Sequence, residues 1–146
     1  MKDRYIFPAF FCYDLKDQVG VVFHDLPGCV SQGDNDEDAL RMAREGLSLH
    51  LWGMEEDNDE IPEPTPTKEL KPEIDQTVVL IDVFMPPFRE RMNNKAVTKT
   101  VTVPRWLDLE AKAAELNYSQ VLQDGLMTRL GIQRKISNRR KRKVMV

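Results

Sequence analysis

The sequence predicts an α+β chain in two parts, a β-β-β-α-β arrangement followed by a lone strand and two helices. Three observations predict it. Short apolar runs bounded by turn residues occur before residue 33 and again at residues 77–84. Apolar residues recur at helical spacing from Leu40 to Met54. Charge also divides the chain: residues 1–90 carry 8 Lys/Arg against 20 Asp/Glu, a net of −12, and residues 91–146 carry 13 against 4, a net of +9. Such asymmetry suits two parts with opposite partners, nucleic acid for the basic part and something basic for the acidic part.

The elements follow in order. Residues 5–13 (YIFPAFFCY) form an apolar strand, and Pro8 within it predicts an edge position or a bulge. Residues 14–17 are a polar turn, and residues 18–24 (QVGVVFH) are the hairpin partner. Pro27-Gly28 marks a turn, after which residues 29–32 can form a third short strand. A helix starts next, with Asp34 or Asn35 as cap and Glu37 or Asp38 three residues on. Its buried face is expected to carry Leu40, Ala43, Leu47, Leu51 and Met54. The acidic run EEDNDE ends it, and a Pro-rich loop follows. Residues 77–84 (TVVLIDVF) are the fourth strand, which Met85-Pro86-Pro87 is expected to stop. The expected divisions are a first domain at 1–90, a polar linker at 91–94, a second domain at 95–132 and a basic tail at 133–146.

The second domain opens on a strand with no sequence neighbour to pair with. Alternation places Thr98, Thr100 and Thr102 on one face and Val97, Val101 and Val103 on the other, with Lys99 interrupting the valines. A second copy of the strand in a two-fold dimer supplies both a backbone partner and a core. The resulting two-stranded ribbon fits a DNA major groove. Pro104 can open the next helix, with Leu107, Ala111 and Ala114 as its stripe. Asn117 reads as the cap of the last helix, with Gln120 at the capping-box position. Val121, Leu122, Leu126 and Leu130 are its expected buried stripe, and Gly125 within it costs about 1 kcal/mol relative to Ala. The N–H groups of Tyr118 and Ser119 are placed to hold a phosphate. The residues expected at DNA are thus Thr98, Lys99, Thr100, Thr102, Asn117, Tyr118 and Ser119. Those expected at the dimer contact are Val97, Val101, Val103, Leu122 and Leu126.

Catalysis is the weaker hypothesis. Asp14, Asp17, Asp25 and Asp82 are candidate metal carboxylates, but three of them read as turn residues and the fourth as a solvated strand residue. His24 and His50 are the only histidines, and His50 flanks the apolar stripe of its helix. The sequence has no HExxH, P-loop, GxSxG or zinc-type cluster. No cofactor and no metal site is expected. Cys12 and Cys29 do not form a CxxC pair and read as reduced, buried small hydrophobes. No apolar run approaches the roughly 18 residues of a membrane span, and MKDRYIF lacks a signal-peptide core, so the cytoplasm is the expected compartment. The tail has seven Lys/Arg in fourteen residues, either a solvated end or an extra phosphate contact.

The unit at residues 95–132 resembles the ribbon-helix-helix DNA-binding fold, the group that includes MetJ and Arc. In that fold the strand residues facing away from the core read bases, here Thr98, Thr100 and Thr102. The run FHDLPGCVSQGDNDEDALRMAREGLSLHLWGMEEDNDEIPEP closely resembles the signature of HicB antitoxins. With the second domain, the resemblance covers about residues 5–132. It implies a type II toxin-antitoxin protein whose first domain is a partial ribonuclease-H-like fold without the catalytic set. That domain would mask HicA, a small basic toxin that cleaves messenger RNA with a histidine. The second domain would bind the operator of its own operon as a homodimer or higher oligomer. The alternative is a stand-alone ribbon-helix-helix regulator whose acidic domain binds another protein or ligand.

Overall fold

The computed structural model describes residues 1–133, and the chain divides into two compact units, Met1–Val97 and Thr98–Val146. In the first unit, β1 (Arg4–Cys12), β2 (Val19–Phe23), β3 (Val30–Gly33) and β4 (Gln76–Phe84) form one antiparallel sheet in the order β3-β2-β1-β4. The helix α1 (Asp36–Glu56) packs on one face of it. The element order is the expected β-β-β-α-β, for a simple reason of pattern. Tyr5, Phe7, Ala9 and Phe11 of β1, Val19, Val21 and Phe23 of β2, and Ile81 and Val83 of β4 fall every second residue and are buried. A period of two puts them all on the face that α1 covers.

Pro8 does not mark an edge strand, because β1 lies between β2 and β4. The register explains how it is tolerated. Pairing of β1 with β2 spans only Ala9↔Phe23 to Cys12↔Gly20, whereas β4 pairs with the whole of β1. Pro8 therefore sits one residue beyond the end of β2, where its missing N–H interrupts no β1–β2 ladder.

The cap of α1 is Asn35, whose side chain accepts the Asp38 N–H at 2.8 Å, while the Asp38 carboxylate accepts the Asp34 N–H at 3.0 Å. That bond, with Arg41 beside it, holds the Asp38 carboxyl below the usual range. The stripe at the centre of the core is Ala39, Ala43, Leu47 and Leu51, each fully buried; Leu40 and Met54 flank it, partly buried. Full burial of each leucine stabilises by about 1.5–3 kcal/mol. The small residues let the helix come close. A side chain at Gly33 would place its Cβ 2.3 Å from the Ala39 backbone nitrogen, and one at Gly46 would lie 2.4 Å from Ser31 Oγ. The glycines of the QGD turn and of AREGL are thus there for contact between β3 and α1.

Met85-Pro86-Pro87 stops β4 and also starts a helix that the sequence reading did not include, α2 (Met85–Asn93). Proline at the first helical positions removes N–H groups that have no intrahelical partner in any case. Arg91, expected in a polar linker, is in the last turn of α2. It lies over the Phe88 ring at 4.9 Å and pairs with Glu45 at 3.3 Å. Arg89 fixes the helix more firmly, donating to both Glu55 oxygens at 2.9 and 2.7 Å, to Asp3 at 2.9 Å and to the Lys2 carbonyl at 2.6 Å. The Pro-rich loop contains one 3-10 turn at Thr67–Glu69. Its tether is Asp25, which accepts the Thr65 N–H at 3.0 Å and also the Thr65 hydroxyl.

The second unit contains α3 (Arg105–Ala113) and α4 (Tyr118–Leu130). Pro104 is the residue preceding α3 rather than its first turn. Asn117 caps α4 through the Gln120 N–H at 3.1 Å, as expected. The Gln120 side chain does not close a capping box; it donates forward to Asp124 at 3.0 Å. Gly131, at φ 68°, ends α4 in the left-handed conformation that favours glycine. Residues 95–103 carry no strand in the single chain. Among the described residues, no helix is long and apolar enough to cross a membrane. Of the basic tail, only Gln133 falls within the described residues.

Candidate functional site

The residues expected at DNA lie in and after residues 95–103. Thr98, Lys99, Thr100 and Thr102 are exposed, as are Asn117, Tyr118 and Ser119. The valines between them are no better covered: Val97, Val101 and Val103 are 78%, 59% and 38% exposed. The helices continue this pattern. Neither α3 nor α4 has a single buried residue. Leu107, Val121, Leu122, Leu126 and Leu130 all stand exposed, so the stripes expected to be buried are not buried within one chain. Nothing lies within 4 Å of where a Gly125 side chain would start.

Polar contacts fix the α3–α4 turn. The Tyr118 hydroxyl donates to Asp108, and Lys112 pairs with the same carboxylate at 2.9 Å. The Tyr118 bond and Lys112 hold the Asp108 carboxyl below its ordinary range, and Asp108 raises the tyrosine. With Asn117 taking the Gln120 N–H, the N–H groups of Tyr118 and Ser119 have no acceptor among the described residues. They point out of the helix start, where an anion is favoured by the helix dipole.

The carboxylates considered for metal chemistry are not brought together. Among the described residues, no group of three or more His, Cys, Asp and Glu side chains is close enough to hold an ion. Asp14 and Asp17 belong to the β1–β2 connection, Asp17 at φ 65°. Asp25 is the loop tether described above. Asp82 pairs with Arg4 at 3.1 Å and Arg44 at 3.4 Å. His24 meets Phe10 edge-on at 6.0 Å, and His50 is half-buried on α1. Cys12 and Cys29 are free thiols. Cys29 is buried, and burial pushes it up to about 11.

Two surface features of the first unit were not anticipated from the sequence. One is an apolar groove of about 940 Å³ between β3, α1 and α2, lined by Val30, Met42, Leu49, Phe88 and Met92. The other is a cleft of about 640 Å³ lined by Asp25, Asp57, Asp59 and Glu60, with no Lys or Arg in its lining. Leu49 lines both.

Comparison with known proteins adds to this geometry. The family model described as a HicB-like antitoxin of a bacterial toxin-antitoxin system matches residues 7–125. An uncharacterized 14.9 kDa protein from the rep-hol intergenic region of Haemophilus phage HP1 is 36% identical over 86 residues; the match spans 57% of this chain and 62% of the phage protein. A toxin-antitoxin complex from Streptococcus pneumoniae is similar in fold, with a TM-score of 0.55 at 22% identity over 86% of this chain and 99% of that one. The Burkholderia pseudomallei antitoxin HicB gives 0.50 at 22% identity over 84% and 96%.

Proposed function

The chain belongs to the HicB-like antitoxins of bacterial toxin-antitoxin systems, and from that premise we propose a division of labour between its two units. The first unit, read as a partial ribonuclease-H-like domain, binds and silences a small basic, RNA-cleaving toxin of the HicA type. The second, read as a ribbon-helix-helix domain, dimerises and binds the operator of its own operon. The protein itself performs no chemistry.

The observation that carries the second half is the absence of any buried residue from α3 and α4. Two short helices without a core are not stable by propensity alone. Their apolar side chains nevertheless repeat at helical spacing, and the valines ahead of them repeat every two residues. A second copy supplies the missing core. Antiparallel pairing of residues 96–103 with their mates gives the backbone its ladder, turns Val97, Val101 and Val103 inward with Leu122 and Leu126, and leaves Thr98, Thr100 and Thr102 facing out. The strand is absent from one chain because a strand is defined by its partner. The N–H groups of Tyr118 and Ser119, without an acceptor among the described residues, then supply phosphate contacts. For the first half, the net charge of −12 over residues 1–90 suits a basic partner and speeds encounter with it.

Thr100→Ala tests the DNA reading. It keeps the backbone and the apolar face, so dimer mass should not change. Each good base contact contributes about 1–3 kcal/mol of discrimination, and the dimer presents the residue twice. Operator affinity by fluorescence anisotropy should therefore fall by roughly tenfold or more, with toxin silencing intact. Parent-like affinity would remove the threonine face from the DNA.

A further inference from the structure

We propose that the apolar groove between β3, α1 and α2, together with the acidic cleft that joins it at Leu49, is the surface on which the basic toxin docks. This rests on the antitoxin reading above and locates its partner. The occupant it fits is a segment with apolar side chains flanked at one end by Lys or Arg.

Three features of the surface select that occupant. Apolar side chains line the groove, and Leu49 stands 52% exposed where it meets the cleft. A side chain of that size and exposure is an anchor waiting for a partner. The charges at the two ends differ. At the far end Arg91 is neutralised by Glu45, and Lys95 lies beside them. At the cleft end the carboxylates of Asp57, Asp59 and Glu60 have no ion pair among the described residues.

The acids also stand where they oppose the fold. The last turn of α1 contains no basic residue, and Glu56 and Asp57 sit at the negative end of its dipole, with Asp59 and Glu60 just beyond. Carboxylates there repel the exposed carbonyls and one another. Arg89, from α2, satisfies only Glu55 and Asp3 in this region. A Lys or Arg brought by a partner would relieve the repulsion, so the cleft favours a cation by more than proximity alone.

The bare face of the sheet is the competing surface. Ile6, Val22, Leu80 and Phe84 are exposed on it. Around Leu80 and Phe84, however, its charges are spent on one another, with Asp82 between Arg4 and Arg44 and Arg4 over the Phe84 ring. Asp14, Glu73 and Asp75, which have no ion pair among the described residues, stand at the other end of this face beside Val22 and Val30, apart from Ile6, Leu80 and Phe84.

Leu49→Asp and Leu80→Asp make a matched pair, since the two leucines are 52% and 57% exposed. The full-length chain would be titrated against a purified small basic toxin of the HicA type, with circular dichroism melts reporting the fold. Leu49→Asp should weaken binding by roughly tenfold or more, and Leu80→Asp should bind like the parent. Asp59→Lys with Glu60→Lys, both at exposed positions, should weaken binding and flatten its salt dependence. That double variant tests the surface independently if Leu49→Asp proves unstable. Parent-like binding by the folded cleft and groove variants would overturn the inference. A loss confined to Leu80→Asp would also overturn it and place docking on the sheet. If the parent does not bind the basic protein at all, the antitoxin reading of the first unit fails, and the docking surface with it.

Discussion

In the dimer proposed above, Val101→Asp is expected to leave the chain monomeric and unable to bind operator DNA. In one chain Val101 is 59% exposed, so the aspartate meets water there and the monomer loses nothing. In the paired ribbon the same position faces its mate, and two carboxylates would be buried together. An unpaired buried charge costs several kcal/mol, and the two-fold axis doubles the cost. Dimer mass from light scattering and operator titration by anisotropy should fail together, while the first unit still silences the toxin. The contrast with Thr100→Ala assigns the faces: one substitution costs DNA alone, the other costs the dimer and therefore the DNA. A Val101→Asp chain that remained a dimer with parent-like operator affinity would mean that the ribbon is not the contact.

The largest effect on the first unit is expected at Arg89. Its side chain is 17% exposed and that of Glu55 only 4%. Arg89→Met would leave the Glu55 carboxylate buried without its two bonds, and would also release Asp3 and the Lys2 carbonyl at the start of β1. Breaking one partner of such a pair costs about 3–5 kcal/mol, a large share of the 5–15 kcal/mol typical of a whole domain. Urea unfolding should register the loss as a lower midpoint at unchanged slope. Replacing Glu55 as well, as Glu55→Gln with Arg89→Met, removes the stranded charge and should restore most of it. If the single variant unfolds like the parent, Glu55 is solvated and the α1–α2 clamp contributes little.

How much of this was legible in the sequence depends on the range of the interaction. Local signals are the most legible. Asn35 is one of the two caps the spacing allows, Asn117 caps where its spacing places it although Gln120 closes no capping box, and the four strands of the first unit lie within a residue or two of their expected bounds. Periodicity located the buried face of α1 at Ala43, Leu47 and Leu51, but its two ends, Leu40 and Met54, are only partly buried, and it left out the fully buried Ala39. Alanine reads as neutral in a hydrophobic pattern, and only the close approach of Gly33 reveals its place. The helix α2 was missed because Pro86-Pro87 was read as a stop, when the same pair is compatible with a helical first turn. Its consequences were missed with it: Arg89 bonds to Glu55 across 34 positions, and the groove between α1 and α2 exists only once both helices do. Asp25, weighed as a metal carboxylate and read as a turn residue, tethers Thr65 forty positions away. No periodicity encodes such pairs. Residues 96–103 are the opposite case: their alternation is plain in the sequence, and the single chain has no strand there.

The most direct measurement of the central claim is RNA cleavage by a small basic toxin of the HicA type, followed on a labelled transcript as the full-length chain is added. An antitoxin predicts that cleavage stops at a fixed stoichiometric ratio, and that the suppression survives Thr100→Ala. Cleavage that continues undiminished with the chain in excess would contradict it.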